Sequence, residues 1–432
     1  MDKEKRNIQT LATTQSKYLS DILDVEDVKE FKSLIPELKD TWKKKQMFRT
    51  ETEMRFSVLS DNKYPTKAAH VLGREASWAA IKDSGIYARD IEIGFCGHVY
   101  QGMGVGQRTL KDIGLVGQPV INVEGACGSG TLSFWEAWRT IAFGQHDVAL
   151  AWGVENLSKI MSGGPLPLEE DDIEVALGMS MPGLYAMRAK RYMDEYGVSK
   201  ETLAKVVVKS RLHASKNPIA QFRKETTVDA VLGDPVICDP LTRSMCCPVG
   251  DASAAAVLVS GEMLNKIKRD ESRLPIKVLG CVAQSGGYAS ATGLTCDPSE
   301  NVARTSQMAY EQAGLGPEDM DAVEIHDAFA IAELIVAEAL GFAKKGEGSK
   351  LIEEGTSNFD GNIAINPSGG LLSRGHPVGA TGLLQTVEIV NQLRGEATGC
   401  QVPDANIGLI ETMGGAQPAM DGITCVVSIL GK

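Results

Sequence analysis

Hydrophobic and polar positions follow two patterns along most of this chain, and each pattern predicts a type of element. Apolar residues at helical spacing follow residue 66 in TKAAHVLGREASWAAIKDSGI, where Gly85 suits the position after a helix end. Short apolar runs such as IEIGFCGHVY and DVALAWGVE predict buried strands. In TLSFWEAWRTIAFGQ, apolar residues recur every third position, which predicts a helix with at least one buried face: Leu132, Trp135, Trp138 and Ile141.

The second half of the chain repeats this alternation. MDAVEIHDAFAIAELIVAEALGF predicts a strand, a turn at 326–328 and a buried helix, and TGLLQTVEIVNQLRGEA predicts another helix. IGLIETMGGAQPAMDGITCVVSIL predicts two strands around a loop. Two halves of similar pattern in series predict a duplicated α/β fold.

The pattern also divides the chain into domains. Residues 1–52 form a charged extension with helical spacing, which is either a surface helix or a docking element for a partner or a second subunit. Residues 53–265 form the first α/β half, and residues 266–432 form the second. The segment at about 161–235 is rich in methionine, charge and helix formers, so we interpret it as an insertion in the first half.

Composition narrows the classes of function. The formal charge of −12 argues against a binder of duplex nucleic acid, which needs a basic surface. No apolar run approaches the roughly 18 residues that span a membrane, and the charged N-terminus does not resemble a secretory signal, so we expect a cytoplasmic protein. The nine cysteines include no CxxC pair, which predicts reduced thiols and no zinc site.

Cys127 is the first candidate for chemistry, because it lies in EGACGSGT between a predicted strand and the first turn of a helix. The positive end of the helix dipole and unpaired backbone N–H groups are expected to lower its pKa there. The same N–H groups could stabilise an oxyanion. A lone cysteine is more often structural, but this glycine-flanked setting favours a nucleophile.

Two histidines complete a candidate catalytic set. His376 lies in SGGLLSRGHPVGATG, where glycines allow another group to approach the backbone closely, and we interpret it as the base that activates the thiol. His326, in EIHDAF at a strand end, has the right type to donate a hydrogen bond to a thioester carbonyl. The three side chains together predict acyl transfer through a covalent thioester.

The ordered motifs GACGSG, HDAF, NPSGGLLSRGHPVGATG and MGGA resemble the thiolase superfamily, from about residue 66 to the C-terminus. The HDxF motif is similar to that of the sterol-carrier-type and archaeal-type branch. The resemblance implies a thiolase fold, with two βαβαβαββ halves in a five-layer α-β-α-β-α arrangement and a loop domain inserted in the first half. It also implies an acyltransferase that uses coenzyme A as a substrate, forms a homodimer or homotetramer, and needs no metal or bound cofactor.

The resemblance implies a role for each matching residue. Cys127 matches the acylated nucleophile, and His376 matches the histidine that activates it. His326 and His376 match the contributors to a first oxyanion hole, and a second is expected from the N–H of Cys127 and one from a turn at Met413–Gly414. The implied reaction is cleavage of a 3-oxoacyl-CoA by free coenzyme A, or the reverse Claisen condensation. Branched or aryl-substituted substrates of anaerobic aromatic degradation fit this branch.

The chain departs from the family pattern in two places. Neither ETMGGA nor HDAF contains the second, acid/base cysteine of related thiolases. Glu411 is our hypothesis for its substitute, and His326 or a water held by it is the alternative. Related thiolases without this cysteine often work with a small zinc-ribbon and OB-fold partner, and the extension at 1–52 is consistent with such a partner.

Coenzyme A carries phosphates, and in an acidic chain these require a local group of basic side chains. The insertion at 161–235 is locally basic and includes Lys209, although a solvated helical face is an alternative interpretation. The candidates for binding coenzyme A are Arg188, Arg191, Arg211, Arg223, Ser368 and Gly369.

Two other functions remain open at this point. An acetoacetyl-CoA-forming enzyme, or another condensing acyltransferase that loads from a carrier protein, would share the cysteine and the two histidines. A non-catalytic acyl-CoA-binding subunit of a complex would explain the missing acid/base cysteine, but such a subunit does not need a nucleophile beside a base. Mass spectrometry after mixing with an acyl-CoA separates these classes, because only catalysis predicts an adduct on Cys127.

Overall fold

The structure is a computed structural model, and it gives the backbone alone for residues 55–60. The predicted extension at 1–52 lies outside the described residues. Among those residues, no helix is both long and apolar enough to cross a membrane. The full description covers residues 67–161, 164–169, 171–267, 274–287, 299–416 and 420–432.

The first sheet is formed by the N-terminal half and has the order β1-β7-β4-β2-β3. Strands β2, β3 and β4 are parallel, whereas β7 runs antiparallel to both β4 and β1. Its strands are β1 (Arg55–Ser60), β2 (Ile93–Gly97), β3 (Val120–Val123), β4 (Val148–Asn156) and β7 (Asp251–Val259). Strand β4 is buried along its whole length, as the apolar run DVALAWGVE predicts.

The second sheet has the same topology, with the order β10-β9-β11-β12-β8. When the five strands of each half are counted in chain order, the third pairs with the second, the second with the fourth, the fourth with the fifth and the fifth with the first. The parallel and antiparallel pairings also match. The strands are β8 (Lys277–Ser285), β9 (Ala322–Glu324), β10 (Ala364–Ile365), β11 (Ile407–Gly414) and β12 (Thr424–Gly431). The predicted duplication is therefore confirmed.

Helices form three layers around the two sheets. Helices α3 (Ser129–Ala142) and α13 (Thr381–Arg394) share one apolar core with the inner faces of both sheets. The outer face of the first sheet packs on α1 (Ala69–Ser84) and α2 (Val105–Lys111). The outer face of the second sheet packs on α9 (Ser299–Ala313) and α10 (Ala330–Ala339). This is the five-layer α-β-α-β-α arrangement that the resemblance to thiolases implies.

The chain between β4 and β7 forms a separate, mainly helical cluster. Its residues pack on the first turns of α10 and on Leu371 and Leu372. Two short strands also occur here, before β7, and the hydrophobic pattern does not predict them. The elements are α4 (Ile173–Ala176), α5 (Met181–Tyr196), α6 (Lys200–Ser215), α7 (Val228–Leu232), β5 (Val236–Cys238) and β6 (Leu241–Thr242).

Three short helices complete the described chain. They are α8 (Gly261–Leu264), α11 (Gly348–Glu353) and α12 (Gly370–Arg374). Helix α12 is entirely buried and leads into the glycine-flanked His376. His376 therefore lies in the interior of the molecule, although its loop sequence alone is typical of an exposed turn.

Candidate active site

Cys127 lies on a single tight turn, Ala126–Gly128, between β3 and α3. Ala126 has a φ of +49°, which is uncommon for a residue with a side chain and marks local backbone strain. The Ser129 hydroxyl accepts a hydrogen bond from the Gly125 N–H (3.0 Å) and donates one to the Ala126 carbonyl (2.6 Å). These bonds fix the turn and hold the cysteine at the start of the helix.

The end of β11 lies directly against this turn. A Cβ on Gly414 would stand 2.2 Å from the Gly125 carbonyl oxygen and 2.7 Å from the Gly128 nitrogen, so only glycine fits there. The expected turn at Met413–Gly414 is wrong, because both residues are still in the strand. The backbone N–H that reaches the Cys127 sulfur belongs to the next residue, Gly415.

His376 reaches the same sulfur from the second half of the chain. Its Nε2 lies 3.2 Å from Cys127 Sγ, and its Nδ1 lies 2.8 Å from the Thr381 hydroxyl. Its backbone N–H donates to the Pro248 carbonyl (3.0 Å), which anchors the residue between the two halves. With Nδ1–H donating to Thr381, Nε2 is free to accept the thiol proton.

His326 follows β9 and closes the third side of the site. Its backbone N–H donates to Glu411 Oε2 at 2.9 Å, so Glu411 positions the residue through its main chain. Neither ring nitrogen has a hydrogen-bond partner among the described residues. The ring faces His376 edge-on, with centroids 5.0 Å apart. A donor or acceptor on an incoming ligand would therefore meet an unused imidazole.

Burial sets the protonation of this site. It raises the pKa of Cys127 to about 12, although the N–H groups of Gly415 and Cys127 itself oppose the rise. Burial also lowers the pKa of His326 to about 4 and that of His376 well below its usual value, and the charges of His326 and Arg374 lower the pKa of His376 further. The expectation of a lowered thiol pKa is therefore wrong, because desolvation outweighs the hydrogen bonds from these N–H groups.

The three side chains also meet the distance requirement of a metal site. Cys127, His326 and His376 each offer a ligand atom, and all these atoms lie within 4.8 Å of one another. A thiolate with two imidazoles can bind zinc. Here, however, the Cys127 sulfur and the His376 imidazole are within hydrogen-bond distance of each other. That hydrogen bond gives each of the two neutral groups a partner without a metal. A metal-free site remains our prediction.

Glu411, the candidate acid/base, is fully buried in β11. One carboxylate oxygen accepts from His326, and the other has no partner in the described part of the chain. Burial raises the pKa of Glu411 to about 7, so the group exchanges protons near neutral pH. These are properties that a general acid or base requires.

Two of the six residues predicted to bind coenzyme A share a cavity of about 270 Å³. Arg188 is buried there, with its guanidinium 4.4 Å from the centroid of the Tyr185 ring. Arg191, one helical turn further along α5, is exposed and pairs with Glu195 at 2.8 Å.

The other four candidates lie elsewhere. Arg211 packs on the Phe222 ring, and Arg223 is exposed. Ser368 and Gly369 are buried. The Ser368 hydroxyl donates to Glu324, and the Gly369 carbonyl accepts a hydrogen bond from the Ser210 hydroxyl. Both are corrected to structural residues, because neither presents a free polar group to a ligand.

Lys209 of the predicted basic group is corrected in the same way. It is buried and pairs with Glu333 inside the helical cluster. Its ammonium also donates to the Ile365 carbonyl at 3.2 Å. A buried cation that is already paired cannot contribute to a surface for phosphates, so the basic composition of the insertion overstates its free charge.

Sequence reasoning missed two residues that shape the site. Thr381, five residues after His376, holds the histidine ring, and its only sequence signal is a hydroxyl at the start of a helix. Glu155, in the GVE motif, accepts from the backbone of Val99, Tyr100 and Gly379 at 3.0 Å each, and so joins the loops on two sides of the cysteine. Nothing in its local sequence indicates these distant donors.

Family models match almost the whole described chain. Residues 47–262 match the thiolase N-terminal domain, and residues 282–429 match a model described as thiolase C-terminal domain-like.

Three curated relatives illustrate the similarity. Benzoylsuccinyl-CoA thiolase subunit BbsB of Thauera aromatica is 40% identical over 350 residues, covering 80% of this chain and 90% of that protein. Acetyl-CoA acetyltransferase of Methanothermobacter thermautotrophicus is 37% identical, covering 83% of this chain and 93% of that protein. Sterol carrier protein 2 of Bos taurus is 37% identical, covering 79% of this chain and 66% of that protein.

Two solved structures share the fold. The Ltp2-ChsH2(DUF35) aldolase superposes with a TM-score of 0.76 at 24% identity, covering 89% of this chain and 98% of that one. Human mitochondrial 3-ketoacyl-CoA thiolase superposes with a TM-score of 0.65 at 17% identity, with the same coverage of both chains.

Proposed function

The chain belongs to the thiolase family, and from this premise we propose that it cleaves a 3-oxoacyl-CoA with free coenzyme A through an acyl group carried on Cys127. The thiolase family and the acyltransferase class follow from the matches above. The observation that supports the proposed residue roles is the 3.2 Å contact between Cys127 Sγ and His376 Nε2. We therefore assign Cys127 as nucleophile and His376 as its base.

The first half-reaction begins with a neutral thiol. As the substrate's 3-oxo carbon approaches, Nε2 of His376 takes the thiol proton and the sulfur bonds to that carbon. The oxygen gains negative charge, which the N–H groups at Cys127 and Gly415 or the imidazole of His326 can stabilise; each such donor contributes roughly 3–4 kcal/mol in related sites. The bond between C2 and C3 then breaks, leaving the acyl group on sulfur and an enolate on the departing acyl-CoA.

The enolate carbon needs a proton, which we assign to Glu411. Its unpartnered oxygen and its raised pKa of about 7 support this role. His326, or a water that it holds, is the alternative donor, because both of its ring nitrogens are unused in the described structure. In the second half-reaction, Glu411 takes the proton from the thiol of coenzyme A as its sulfur attacks the acyl-cysteine. His376 then returns its proton to the Cys127 sulfur as the new acyl-CoA leaves.

The experiment that tests this function is mass spectrometry after mixing the protein with a 3-oxoacyl-CoA. We expect an acyl adduct on Cys127, and its disappearance when free coenzyme A is added. Cys127→Ala should give no adduct. An unmodified wild-type protein that still binds the thioester would instead support the non-catalytic subunit.

We propose an aryl-substituted or branched 3-oxoacyl-CoA as the substrate class. The Thauera aromatica relative, which shares 40% identity, is named for benzoylsuccinyl-CoA, and this similarity supports the proposal. The archaeal relative is named acetyl-CoA acetyltransferase, which supports acetoacetyl-CoA formation as the second candidate. Cleavage rates for 3-oxoacyl-CoA thioesters with aryl, branched and straight acyl groups decide between the two.

A partner subunit is part of the proposal. The Thauera aromatica relative is named as a subunit, and a solved structure of the same fold is named for a complex with a DUF35 protein. A small zinc-ribbon and OB-fold partner that helps bind coenzyme A would suit this chain. A purified chain that is fully active without any other protein would contradict the requirement for a partner.

We also propose a homodimer in the cytoplasm. Among the described residues, strand β3 lies at the edge of its sheet and pairs with β2 alone, and the side chain of Ile121 on it is 47% exposed. An exposed edge strand with an apolar side chain can pair with a second copy, which would remove the unpaired edge.

A further inference from the structure

The cavity beside α5 is separate from the pair formed by Cys127 and His376. It lies between α5, the first turn of α9 and the C-terminal part of α10, with a volume of about 270 Å³. A cavity of this size can accept part of an acyl group, but it is below the range of sites that enclose a whole drug-sized ligand.

Arg188 lines this cavity with a guanidinium that contacts Tyr185 but pairs with no carboxylate among the described residues. Its exposed fraction is 8%, and its Nε and Nη1 atoms are buried without a hydrogen-bond partner in the described chain. Leaving a buried cation unpaired is costly, which indicates that a ligand supplies the missing partner. Three other buried cations face a carboxylate, in the pairs Lys209–Glu333, Arg374–Glu324 and Arg394–Asp83. Arg211 is the exception: it is also 8% exposed, and its guanidinium lies over the Phe222 ring with Nη1 unpartnered in the described chain.

Three carboxylates line the cavity, and none of them pairs with Arg188 in the described chain: Glu195, Glu300 and Glu338. Glu195 pairs with Arg191. Glu338 accepts from the Tyr192 hydroxyl and from the Gly348 N–H at 2.7 Å. Glu300 stands in the first turn of α9, where the helix dipole stabilises a negative charge. None of these contacts satisfies the guanidinium of Arg188.

Two stacked rings connect Arg188 to the segment that carries His326. The guanidinium of Arg188 covers Tyr185, whose ring stacks on Phe329 with centroids 4.4 Å apart. Phe329 follows His326 by three residues in the same segment. Burial raises the pKa of Tyr185, Arg188 opposes the rise through its charge and a side-chain hydrogen bond, and the nearby Cys127 thiol adds to it. An acyl group bound to Cys127 would therefore extend towards Arg188, whereas the phosphates of coenzyme A lie at the far end of the pantetheine arm.

We propose that Arg188 binds a carboxylate on the acyl part of the substrate, so that the preferred substrate is a 3-oxoacyl-CoA with a second, free carboxylate. A guanidinium matches the two oxygens of a carboxylate with two parallel hydrogen bonds. The inference rests on the proposed thiolase function, and it specifies the substrate class of the same site.

The test uses two matched pairs of thioesters, in which a methyl group replaces the free carboxylate. They are 2-benzoylsuccinyl-CoA with 2-benzoylbutanoyl-CoA, and 3-oxoadipyl-CoA with 3-oxohexanoyl-CoA. In 2-benzoylsuccinyl-CoA the carboxylate leaves with the departing acyl-CoA, so that pair serves as a comparison. In 3-oxoadipyl-CoA the carboxylate lies on the acyl group that Cys127 carries, and for this pair we expect the wild type to prefer the carboxylate at least tenfold in kcat/KM. Arg188→Gln should lose about 30-fold or more on that carboxylate and less than threefold on its methyl counterpart.

Two control variants distinguish the loss of the charge at position 188 from general damage to the fold. Lys190→Gln changes an exposed cation on the same helix that does not line the cavity, and it should leave both rates within threefold of the wild type. Arg188→Lys keeps the charge but loses the two-pronged geometry, so it should recover part of the lost rate on the carboxylate.

Three results would overturn the proposal. The first is no preference for the carboxylate in the 3-oxoadipyl pair, and the second is an equal loss on both members of that pair in Arg188→Gln. The third is a raised KM for free coenzyme A in that variant, which would assign Arg188 to a phosphate of coenzyme A. If no probe acylates Cys127 in the wild type, the thiolase function itself fails, and this inference fails with it.

Discussion

At the residue scale, the pair formed by Cys127 and His376 carries no charge before the substrate arrives. Burial raises the pKa of the Cys127 thiol to about 12 and lowers that of His376, so both groups are neutral. A neutral thiol hydrogen-bonded to a neutral imidazole avoids the cost of an ion pair in an apolar cavity. We infer that the proton moves when the sulfur attacks, and that the orientation of His376 controls this step.

Thr381→Val tests that orientation. The variant loses the hydroxyl 2.8 Å from His376 Nδ1 and leaves the ring free to rotate or change tautomer. A hydrogen bond contributes about 1 kcal/mol, so we expect the rate of Cys127 acylation to fall roughly five- to tenfold. Thr381→Ser, which keeps the hydroxyl, should stay near the wild-type rate, and an equal fall in both variants would contradict the assigned role.

Glu411→Gln tests the acid/base assignment. The amide keeps an oxygen to accept from the His326 N–H but cannot exchange a proton. General acid–base catalysis contributes about 100-fold or more, so turnover of a 3-oxoacyl-CoA should fall by that factor. Acylation of Cys127 by a simple acyl-CoA, which forms no enolate, should persist. Unchanged turnover would transfer the role to His326 or its water.

At the element scale, the site depends on the close contact of three segments from both halves. The turn before α3 carries Cys127, the end of β11 lies on that turn, and the loop between α12 and α13 carries His376. Helices α3 and α13 pack together in the central layer. Because rigid elements position all three segments, small changes in their spacing should affect catalysis more than changes in surface charge.

Gly414→Ala tests the spacing between β11 and the cysteine turn. The added Cβ would meet the Gly125 carbonyl at 2.2 Å, and backbone on both sides must shift to relieve the clash. We expect the variant to lose about 1–3 kcal/mol of unfolding free energy and most of its acylation rate. Gly102→Ala is the control, because only the end of the Arg108 side chain lies within 4 Å of the new Cβ. Normal acylation by Gly414→Ala would show that the site tolerates the displacement.

At the scale of the whole molecule, buried ionisable groups connect pH to stability. Glu411 is fully buried, and its pKa in the folded chain is about 7, against an ordinary value of 4.5. Between these two values, the folded chain binds more protons at this position than the unfolded chain does. The contribution of Glu411 to stability therefore falls as the pH rises through that window.

The same variant, Glu411→Gln, measures this effect by denaturant unfolding. Its unfolding free energy relative to the wild type should increase by up to about 3 kcal/mol from pH 4.5 to 7 and then remain level. A difference that does not change with pH would mean that the carboxyl titrates normally in the folded chain.

Ile121→Lys tests the proposed pairing of two copies through β3. A charged side chain at the exposed edge of the sheet should disfavour pairing with a second copy, so we expect a shift towards monomer in light scattering after size exclusion. Phe143→Lys, at another exposed apolar position, should leave the mass unchanged. A dimer that survives Ile121→Lys at low concentration would place the interface elsewhere.

Much of this protein was predictable from local sequence. The apolar periods identify the buried strand β4 and the central helix α3, because burial of one face requires a regular spacing of apolar residues. The motifs around Cys127, His326 and His376 likewise identify the candidate site, because each requires small residues or a strand end beside the reactive group. The duplicated topology follows from the repeated order of elements.

The protonation of the site and its supporting contacts were decided by the tertiary structure alone. The Cys127 thiol has a raised pKa because surrounding segments exclude water from it, which no local helix dipole reveals. Thr381 and Gly415 acquire their roles only when distant segments meet, and Arg188 is distinguished from Arg191 only by which side of α5 is buried. Charge and hydrogen bonding depend on neighbours in space, whereas periodicity records only neighbours along the chain.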